Sequence, residues 1–202
     1  MYNREGVVGL SVVEIASKHN GFVTTSQVTN SGIPRRKLAE AVEEGALIRI
    51  DRGLYALPEV WEDPYLIAQH RFSRGIFSDD TALFLHGMTD KAPFVLTMTF
   101  PRSYNASAAR DAGIVCRTCS DEVYDLGVVT MRTEYGNSVR LYDLERSLCD
   151  VVRGQKTIDS QVVAPAMKAY ARSKRRDAAK LIWYAGKLGV EKKVRGYLEV
   201  LL

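Results

Sequence analysis

Basic side chains cluster within a short stretch near the start of the chain. Arg35, Arg36 and Lys37 are consecutive, and Arg49 and Arg52 follow them. Such side chains neutralise phosphates and donate hydrogen bonds to base edges, so the chemistry that they predict is DNA binding. Together with a threonine at the start of a predicted helix, they form the set of candidate DNA contacts: Thr25, Arg35, Arg36, Lys37, Arg49 and Arg52.

The residues before this cluster predict a short first helix of a helix-turn-helix. Thr24 can cap the helix with its hydroxyl, and Gln27 completes a capping box three residues later. The helix should run from about Thr25 to Asn30 and stop at Ser31-Gly32, where glycine permits a positive φ. A packing helix over Val7 to Lys18 should precede it, because apolar residues recur there at helical spacing.

A second helix should carry the three consecutive cations in its first turn. Pro34 suits that turn because its missing N–H would be unpaired there. Leu38, Ala41 and Val42 form one apolar stripe. Cations at a helix N-terminus are unfavourable by a few tenths of a kcal/mol to roughly 1 kcal/mol. Phosphates or base edges at that end would remove the penalty, as they do for a recognition helix in the major groove.

A β hairpin should follow Gly45, which ends the second helix. Two β-rich runs, Leu47–Ile50 and Leu54–Leu57, are joined by Asp51-Arg52-Gly53, a loop that fits a type I turn with a glycine bulge. Arg52 at its tip can reach a phosphate or a narrow minor groove. Two helices, a turn and this hairpin predict a winged helix-turn-helix. The alternatives are a solvated hairpin whose arginines only maintain solubility, and a winged helix that only docks proteins.

No other motif in the sequence predicts a catalytic or metal site. Cys116 and Cys119 form one CxxC pair at the end of a predicted strand, which without a second pair cannot complete a four-ligand zinc site. Asp79 and Asp80 favour helix capping over a metal pair, because acidic residues suit a helix start. Glu134 lacks the lysine partner of a restriction-type nuclease. We therefore expect no enzyme activity, catalytic residue, metal or cofactor.

The composition is that of an ordinary globular protein of 202 residues, 46% hydrophobic and 26% charged. The sequence shows no apolar run of the roughly 18 residues that a membrane span needs, and its start has no signal-peptide pattern. We therefore expect a cytoplasmic protein with no membrane partner. Prolines at positions 58 and 64 predict a boundary between a winged-helix domain, residues 1–60, and a second domain, residues 61–202.

The second domain should be α/β with a small sheet and a helical C-terminal tail, which makes the whole chain α+β. Period-2 and helical patterns assign its elements. The predicted strands cover about 76–77, 94–100, 114–117, 127–133 and 138–142. The predicted helices cover about 64–73, 79–86 and 143–152, followed by tail segments near 159–173, 176–188 and 190–202.

The tail is the most basic part of the chain. Residues 165–202 contain ten Lys or Arg and three Asp or Glu, a net charge of +7 against +4 for the whole chain. Arg172 lies four residues after Lys168, and Lys180 lies four after Arg176, so several of these cations should share one helical face. This second basic patch either faces solvent or meets DNA phosphates or an RNA. Its residues are Lys168, Arg172, Lys174, Arg175, Arg176 and Lys180.

Several short segments, read together, resemble the AbiEi family, the antitoxins of abortive-infection type IV toxin–antitoxin systems. They are Gly21-Phe22-Val23-Thr24, Gly45-Ala46-Leu47-Ile48-Arg49, Arg52-Gly53-Leu54-Tyr55, the stretch from Asp79 to Gly87, and the stretch from Val139 to Asp150. The resemblance extends over most of residues 8–155.

The resemblance implies a bacterial repressor that binds inverted repeats of operator DNA upstream of its own operon. It also implies an antitoxin that counteracts a nucleotidyltransferase-like toxin without a stable complex. Arg35, Arg36, Lys37, Arg49 and Arg52 would contact DNA, and the domain after Pro58 would carry the antitoxin activity. The alternative class is an RNA- or protein-binding adaptor whose winged helix is only a scaffold. Binding to upstream operon DNA discriminates between the two.

Overall fold

The computed structural model of the chain describes residues 11–154 and 160–201. It is an α+β structure, as predicted, and its contacts divide it into two compact units. Among the described residues, those up to Arg71 together with Arg132–Ser138 form the first unit, and Phe72–Met131 together with those from Val139 onward form the second. The prolines predicted a boundary near residue 60, whereas this division keeps residues 61–71 with the first unit.

The first unit contains the winged helix-turn-helix that the sequence predicts. Its three strands form an antiparallel sheet in the order β1-β3-β2. The elements are α1 (Val12–Lys18), β1 (Phe22–Thr24), α2 (Thr25–Asn30), α3 (Arg36–Glu43), β2 (Ile48–Asp51), β3 (Leu54–Ala56) and α4 (Pro64–Arg71).

Local hydrogen bonds set the ends of these helices. Thr24 and Gln27 form the predicted capping box of α2, and Ser11 and Glu14 form another at the start of α1. Gly45 ends the α3 region as expected, with a φ of 72°. Its N–H donates to the Val42 carbonyl at 3.1 Å, and the Ala46 N–H donates to the Ala41 carbonyl at 2.8 Å. The predicted start of the first helix at Val7 lies outside the described residues.

The placement of Pro34 in the first turn of α3 is wrong, because the helix begins at Arg36. Arg35 occupies the N-cap position without a side-chain cap. The turn before the helix is tightened instead by two backbone bonds. Lys37 N–H donates to the Pro34 carbonyl and Leu38 N–H donates to the Arg35 carbonyl, both at 3.0 Å.

The core of the first unit lies between the three N-terminal helices and the sheet. Helix α3 contributes Leu38 and Ala41, while Val42 of the predicted stripe is only half-buried. Burial of these apolar side chains stabilises the unit by about 1.5–3 kcal/mol for each large residue. The buried cluster is Val12, Ile15, Ala16, Val23, Val28, Leu38, Ala41 and Leu47.

Asp63 joins α4 to the Arg132–Ser138 segment of the same unit. One carboxylate oxygen accepts the N–H groups of Tyr65 and Leu66 at 3.0 and 3.1 Å, which caps the helix. The other accepts the Thr133 hydroxyl at 2.6 Å and the Asn137 amide at 2.9 Å. Asp63 is fully buried, so these four bonds replace the water that the carboxylate loses on folding.

The second unit is built on a mixed five-stranded sheet in the order β6-β5-β4-β8-β7. Strand β4 pairs antiparallel with β5 and parallel with β8, and β5 pairs parallel with β6. Its strands are β4 (Ile76–Phe77), β5 (Thr97–Pro101), β6 (Val115–Cys119), β7 (Val128–Arg132) and β8 (Ser138–Tyr142). Its helices are α5 (Asp79–Leu85), α6 (Ser107–Asp111), α7 (Asp121–Tyr124), α8 (Leu144–Arg153), α9 (Ser160–Arg172), α10 (Ala178–Lys187) and α11 (Glu191–Leu201).

Two predicted strands differ from the structure. Strand β5 begins at Thr97 rather than at Phe94, whose side chain is fully exposed. Strand β6 extends to Cys119 and so contains the whole CxxC pair. The three helical segments of the tail are confirmed, except that residues 159 and 202 lie outside the described part. No helix in the described ranges combines the length and apolar character needed to cross a bilayer.

Helix α8 is buried almost along its whole length, including four polar or charged residues. Arg146 has no exposed surface; it donates to Asp150 Oδ2 at 2.9 Å and to the carbonyl oxygens of Val123 and Leu126 at 2.6 and 3.0 Å. Its guanidinium also lies 4.1 Å from the centre of the Tyr142 ring. These contacts offset most of the desolvation of the Arg146 charge, although its Nη2 has no hydrogen-bond partner among the described residues. The charge of Arg146 is therefore structural.

We predict that Asp63→Ala lowers the free energy of unfolding of the first unit by about 3 kcal/mol, because it removes a helix cap and leaves buried donors unpaired. The matched control is Glu62→Ala, at an exposed neighbouring position, which should change it by less than about 0.5 kcal/mol. Urea unfolding measures both. Equal unfolding midpoints for the two variants would contradict the role assigned to Asp63.

Candidate nucleic-acid interface

The N-terminus of α3 presents its cations to solvent. Arg35, Arg36 and Lys37 are exposed, and the first turn contains no acidic residue. Because Leu38 and Ala41 point into the core, helical periodicity directs the preceding cations outward. The structure therefore brings these three predicted site residues together on one exposed turn.

Glu40 is the counter-ion of this turn, and the sequence analysis did not identify it. Its carboxylate lies 2.5 Å from Lys37 Nζ and 3.9 Å from Arg36 Nε. The hydrogen bond from Lys37 is the main cause that holds the pKa of Glu40 below its ordinary value. Spacings of three and four residues in the sequence could have revealed both pairs. Glu40 is therefore placed to orient the two cations and to oppose an approaching phosphate.

The wing presents the other two predicted arginines. Arg49 and Arg52 are exposed on β2 and on the turn that follows it. Gly53 has φ 76°, and the strand register shifts between Arg49 and Asp51, so both the predicted glycine turn and a bulge are present. The Asp51 carboxylate accepts the Arg52 N–H at 2.6 Å, which fixes the turn and leaves the Arg52 side chain exposed.

Thr25 connects the wing to the helix-turn-helix through its backbone. Its N–H donates to the Gly53 carbonyl at 3.0 Å, so the first residue of α2 is tied to the tip of the hairpin. A Cβ at Gly53 would lie 3.3 Å from Thr25 Oγ1, and the positive φ there also disfavours any other residue. Thr25 is half-buried, and its role in the structure is to position the wing.

Helix α4 supports the wing from a second side. His70 Nε2 lies 3.2 Å from the Arg52 carbonyl, and Arg71 Nε lies 3.8 Å from an Asp51 carboxylate oxygen. Both contacts lie in the turn that carries Arg52. Two independent anchors, one from α2 and one from α4, therefore hold the wing tip in place while its arginine side chains remain exposed.

The second basic patch is divided by its own contacts. Lys180 Nζ pairs with Asp143 at 2.9 Å and Glu145 at 3.5 Å. Burial alone lowers the pKa of Lys180, but the two carboxylates raise it above its ordinary value. Arg175 and Arg176 donate to the backbone carbonyls of His86 and Ala171, each at 2.8 Å.

The prediction that Arg176 and Lys180 share a helical face is wrong, because Arg176 precedes α10 and lies in the connection after α9. Lys168 and Arg172 do lie four residues apart on α9, and both are exposed. Lys174 is exposed in the connection. Five of the six cations are therefore exposed, but Arg175 and Arg176 donate to backbone carbonyls and the half-buried Lys180 pairs with two carboxylates.

The side chains that the sequence analysis considered for other chemistry do not form a reactive site within the described residues. Cys116 and Cys119 lie three positions apart on β6, and because side chains alternate along a strand they lie on opposite faces of the sheet. Burial raises the pKa of both thiols, which disfavours the reactive thiolate. Glu134 lies exposed in the turn between β7 and β8. No group of three or more metal-ligating side chains occurs within residues 11–154 and 160–201.

The capping role expected for Asp79 is wrong. Ser78 occupies the N-cap position of α5, and the Asp79 carboxylate instead pairs with Arg117 Nε of β6 at 2.8 Å. Burial and the nearby Asp150 raise the pKa of Asp79 to about 6. Asp80 accepts the Thr81 N–H at 2.9 Å, a local contact of the kind expected at a helix start.

The first unit is thus a winged helix-turn-helix with exposed cations on its second helix and on its wing, the architecture of DNA-binding regulators. Residues 11–58 match the family model described as "Transcriptional regulator, AbiEi antitoxin". The matched segment begins one residue before α1 and ends just after β3. The resemblance to the AbiEi family is therefore confirmed for the winged-helix segment, and it supports a role in antitoxin-type regulation.

The fold of the chain is also similar to a solved structure, the "Crystal structure of RV2827C protein from Mycobacterium tuberculosis". The TM-score is 0.53 at 13% sequence identity, and the match covers 94% of this chain and 80% of that chain. At this identity the likeness concerns the fold alone. No curated protein matches the sequence.

Proposed function

We propose that this protein is a DNA-binding repressor of its own operon and the antitoxin of a type IV toxin–antitoxin system in the bacterial cytoplasm. The observation that carries the proposal is the exposed basic first turn of α3 on a winged helix whose segment matches the AbiEi regulator model. Three cations at a helix N-terminus oppose the helix dipole. An operator phosphate or base edge at that end would give these cations a favourable partner and so offset the unfavourable interaction with the dipole.

The proposed operator contacts are the side chains of Arg35, Arg36 and Lys37 in the major groove, and those of Arg49 and Arg52 of the wing on phosphates or the minor groove. Thr25 supports them by holding the wing turn. Inverted repeats in the operator would bring one winged helix to each half-site, since palindromic DNA is read by a two-fold arrangement of proteins.

The antitoxin activity is proposed to belong to the second domain, after Pro58, and to act on a nucleotidyltransferase-like toxin without a stable complex. The division into two compact units, each with its own buried cluster, supports separate functions. Repression and toxin neutralisation should then respond to different substitutions.

The outward cations of the second patch are proposed to add phosphate contacts beside the half-site. Lys168, Arg172 and Lys174 are the suitable members because their side chains are exposed. Arg175 and Arg176 are exposed but already donate to backbone carbonyls, and Lys180 is neutralised by two carboxylates. Contacts of this kind raise affinity without reading sequence.

We predict that replacing Arg35, Arg36 and Lys37 together by Ala lowers operator affinity by at least about 100-fold, since each lost base contact costs about 1–3 kcal/mol. Fluorescence anisotropy with upstream operon DNA measures the loss. The same variant should still rescue cells that express the toxin. Operator affinity equal to that of the unaltered protein would contradict the recognition-helix assignment, and loss of rescue would contradict the separation of functions.

Two controls accompany this variant. Lys187, Lys192 and Lys193 changed together to Ala give the same change in charge on exposed positions of α10 and α11, and this variant should keep specific binding. Glu40→Gln removes the counter-ion of Arg36 and Lys37 and should strengthen DNA binding roughly threefold to tenfold. Glu43→Gln, on the same helix and exposed, should have a smaller effect.

We predict that changing Lys168, Arg172 and Lys174 to Gln flattens the dependence of log affinity on log salt by up to about 3 units, because each contacted phosphate contributes about −0.9. Discrimination between operator and scrambled DNA should not change. Titrations at four salt concentrations measure the slope. An unchanged slope together with intact toxin rescue would identify these residues as a solvated surface.

A further inference from the structure

Two cavities of the second unit are lined by one ion pair, Asp79 with Arg117. The smaller, of about 160 Å³, is lined also by Thr99, Asp150 and Arg153. The larger, of about 260 Å³, opens beside Lys91 and Phe94. One water needs roughly 15 Å³ of such volume. The smaller cavity has about ten times that volume, which is enough for a small organic group.

Asp150 lines the smaller cavity, and one of its carboxylate oxygens is a buried acceptor without a hydrogen-bond partner among the described residues. Its side chain is only 4% exposed, yet Oδ1 accepts no hydrogen bond from the described residues. Arg153 Nη2 is 3.5 Å away, an ion-pair distance but a poor hydrogen bond. A buried acceptor left unpaired costs about 1–3 kcal/mol. A ligand with an N–H donor at this point would remove that cost.

The charges around the cavity favour a ligand edge that is neutral and carries both donors and acceptors. The lining contains two carboxylates, of Asp79 and Asp150, and two guanidinium groups, of Arg117 and Arg153. The guanidinium groups oppose a cation, and the carboxylates oppose an anion. A carboxylate accepts from N–H, and a guanidinium donates to C=O. The ligand edge that matches both groups therefore carries an N–H next to a carbonyl.

Guanine and uracil have such an edge, whereas adenine and cytosine present a ring nitrogen acceptor that a carboxylate would repel. The larger cavity provides for the rest of a nucleotide. Phe94 is a fully exposed aromatic side chain on its lining, and its ring offers an apolar face on which the sugar can pack. Lys91 on the same lining suits a phosphate.

We propose that this pair of cavities binds a free mononucleotide whose base is guanine or uracil. Asp150 accepts the base N–H, and Arg153 donates to the adjacent carbonyl. Asp79 and Arg117 line both cavities and flank the nucleotide where its base joins its sugar. The sugar and phosphate occupy the larger cavity beside Phe94 and Lys91. All of these residues belong to the second unit, so the site does not depend on DNA binding by the first.

Isothermal titration calorimetry of the full chain with GMP, UMP, AMP and CMP tests the proposal. GMP or UMP should bind at least about tenfold more tightly than AMP and CMP, the difference expected from one mispaired edge. Binding of a guanine- or uracil-containing RNA oligomer more tightly than either mononucleotide would overturn the assignment of a free nucleotide. Equal binding of all four nucleotides, or of none, would overturn the site.

Variants locate the binding within the cavity. Asp150→Asn removes the negative charge and replaces one acceptor oxygen by an NH2 donor. It also weakens the pair with Arg146, so circular dichroism must first show that the variant is folded. Arg153→Gln and Phe94→Ala alter exposed lining positions and should each weaken binding roughly tenfold. Arg102→Gln, an exposed control away from the lining, should bind normally. Unchanged affinity in both Arg153→Gln and Phe94→Ala would overturn the proposal.

Discussion

Burial of Leu38 and Ala41 is the constraint on which the DNA-binding account depends. Helix α3 has eight residues, and its apolar side must face α1 and α2 if the first unit is to have a core. Once those two side chains are fixed inside, Arg35, Arg36 and Lys37 have no position except the surface. The same packing that stabilises the fold therefore displays the basic turn.

The wing depends on a different kind of constraint, which is hydrogen bonding through backbone groups. Gly53 supplies a carbonyl to the Thr25 N–H, and the Arg52 carbonyl lies within reach of His70. These bonds use backbone atoms of Gly53 and Arg52, so they leave the Arg52 side chain exposed, while Arg49 Nε makes a long contact of 3.5 Å with the Asp51 carbonyl. A reading surface built in this way keeps its shape before DNA arrives, which reduces the ordering cost of binding.

The local features of the first unit could be predicted from the sequence because they depend on neighbours. The capping box of Thr24 and Gln27 and the helix end at Gly45 are examples, and both are confirmed. Prediction failed where the partner is distant in sequence. Asp79 at the start of α5 pairs with Arg117 of β6, and Lys180 pairs with carboxylates at the start of α8. The predicted start of a strand at Phe94 is wrong for a related reason. Phe94 has a high β propensity but pairs with no neighbouring strand among the described residues, and β5 begins at Thr97.

A nuclease footprint on the DNA upstream of the protein's own operon tests the central claim most directly. The account predicts two protected half-sites in inverted orientation, on adjacent turns of the duplex or multiples of a turn. At the same salt concentration it predicts affinity at least about 10³-fold higher than for a scrambled duplex. An unprotected operator region, with equal affinity for operator and scrambled DNA, would contradict the claim that this winged helix reads DNA.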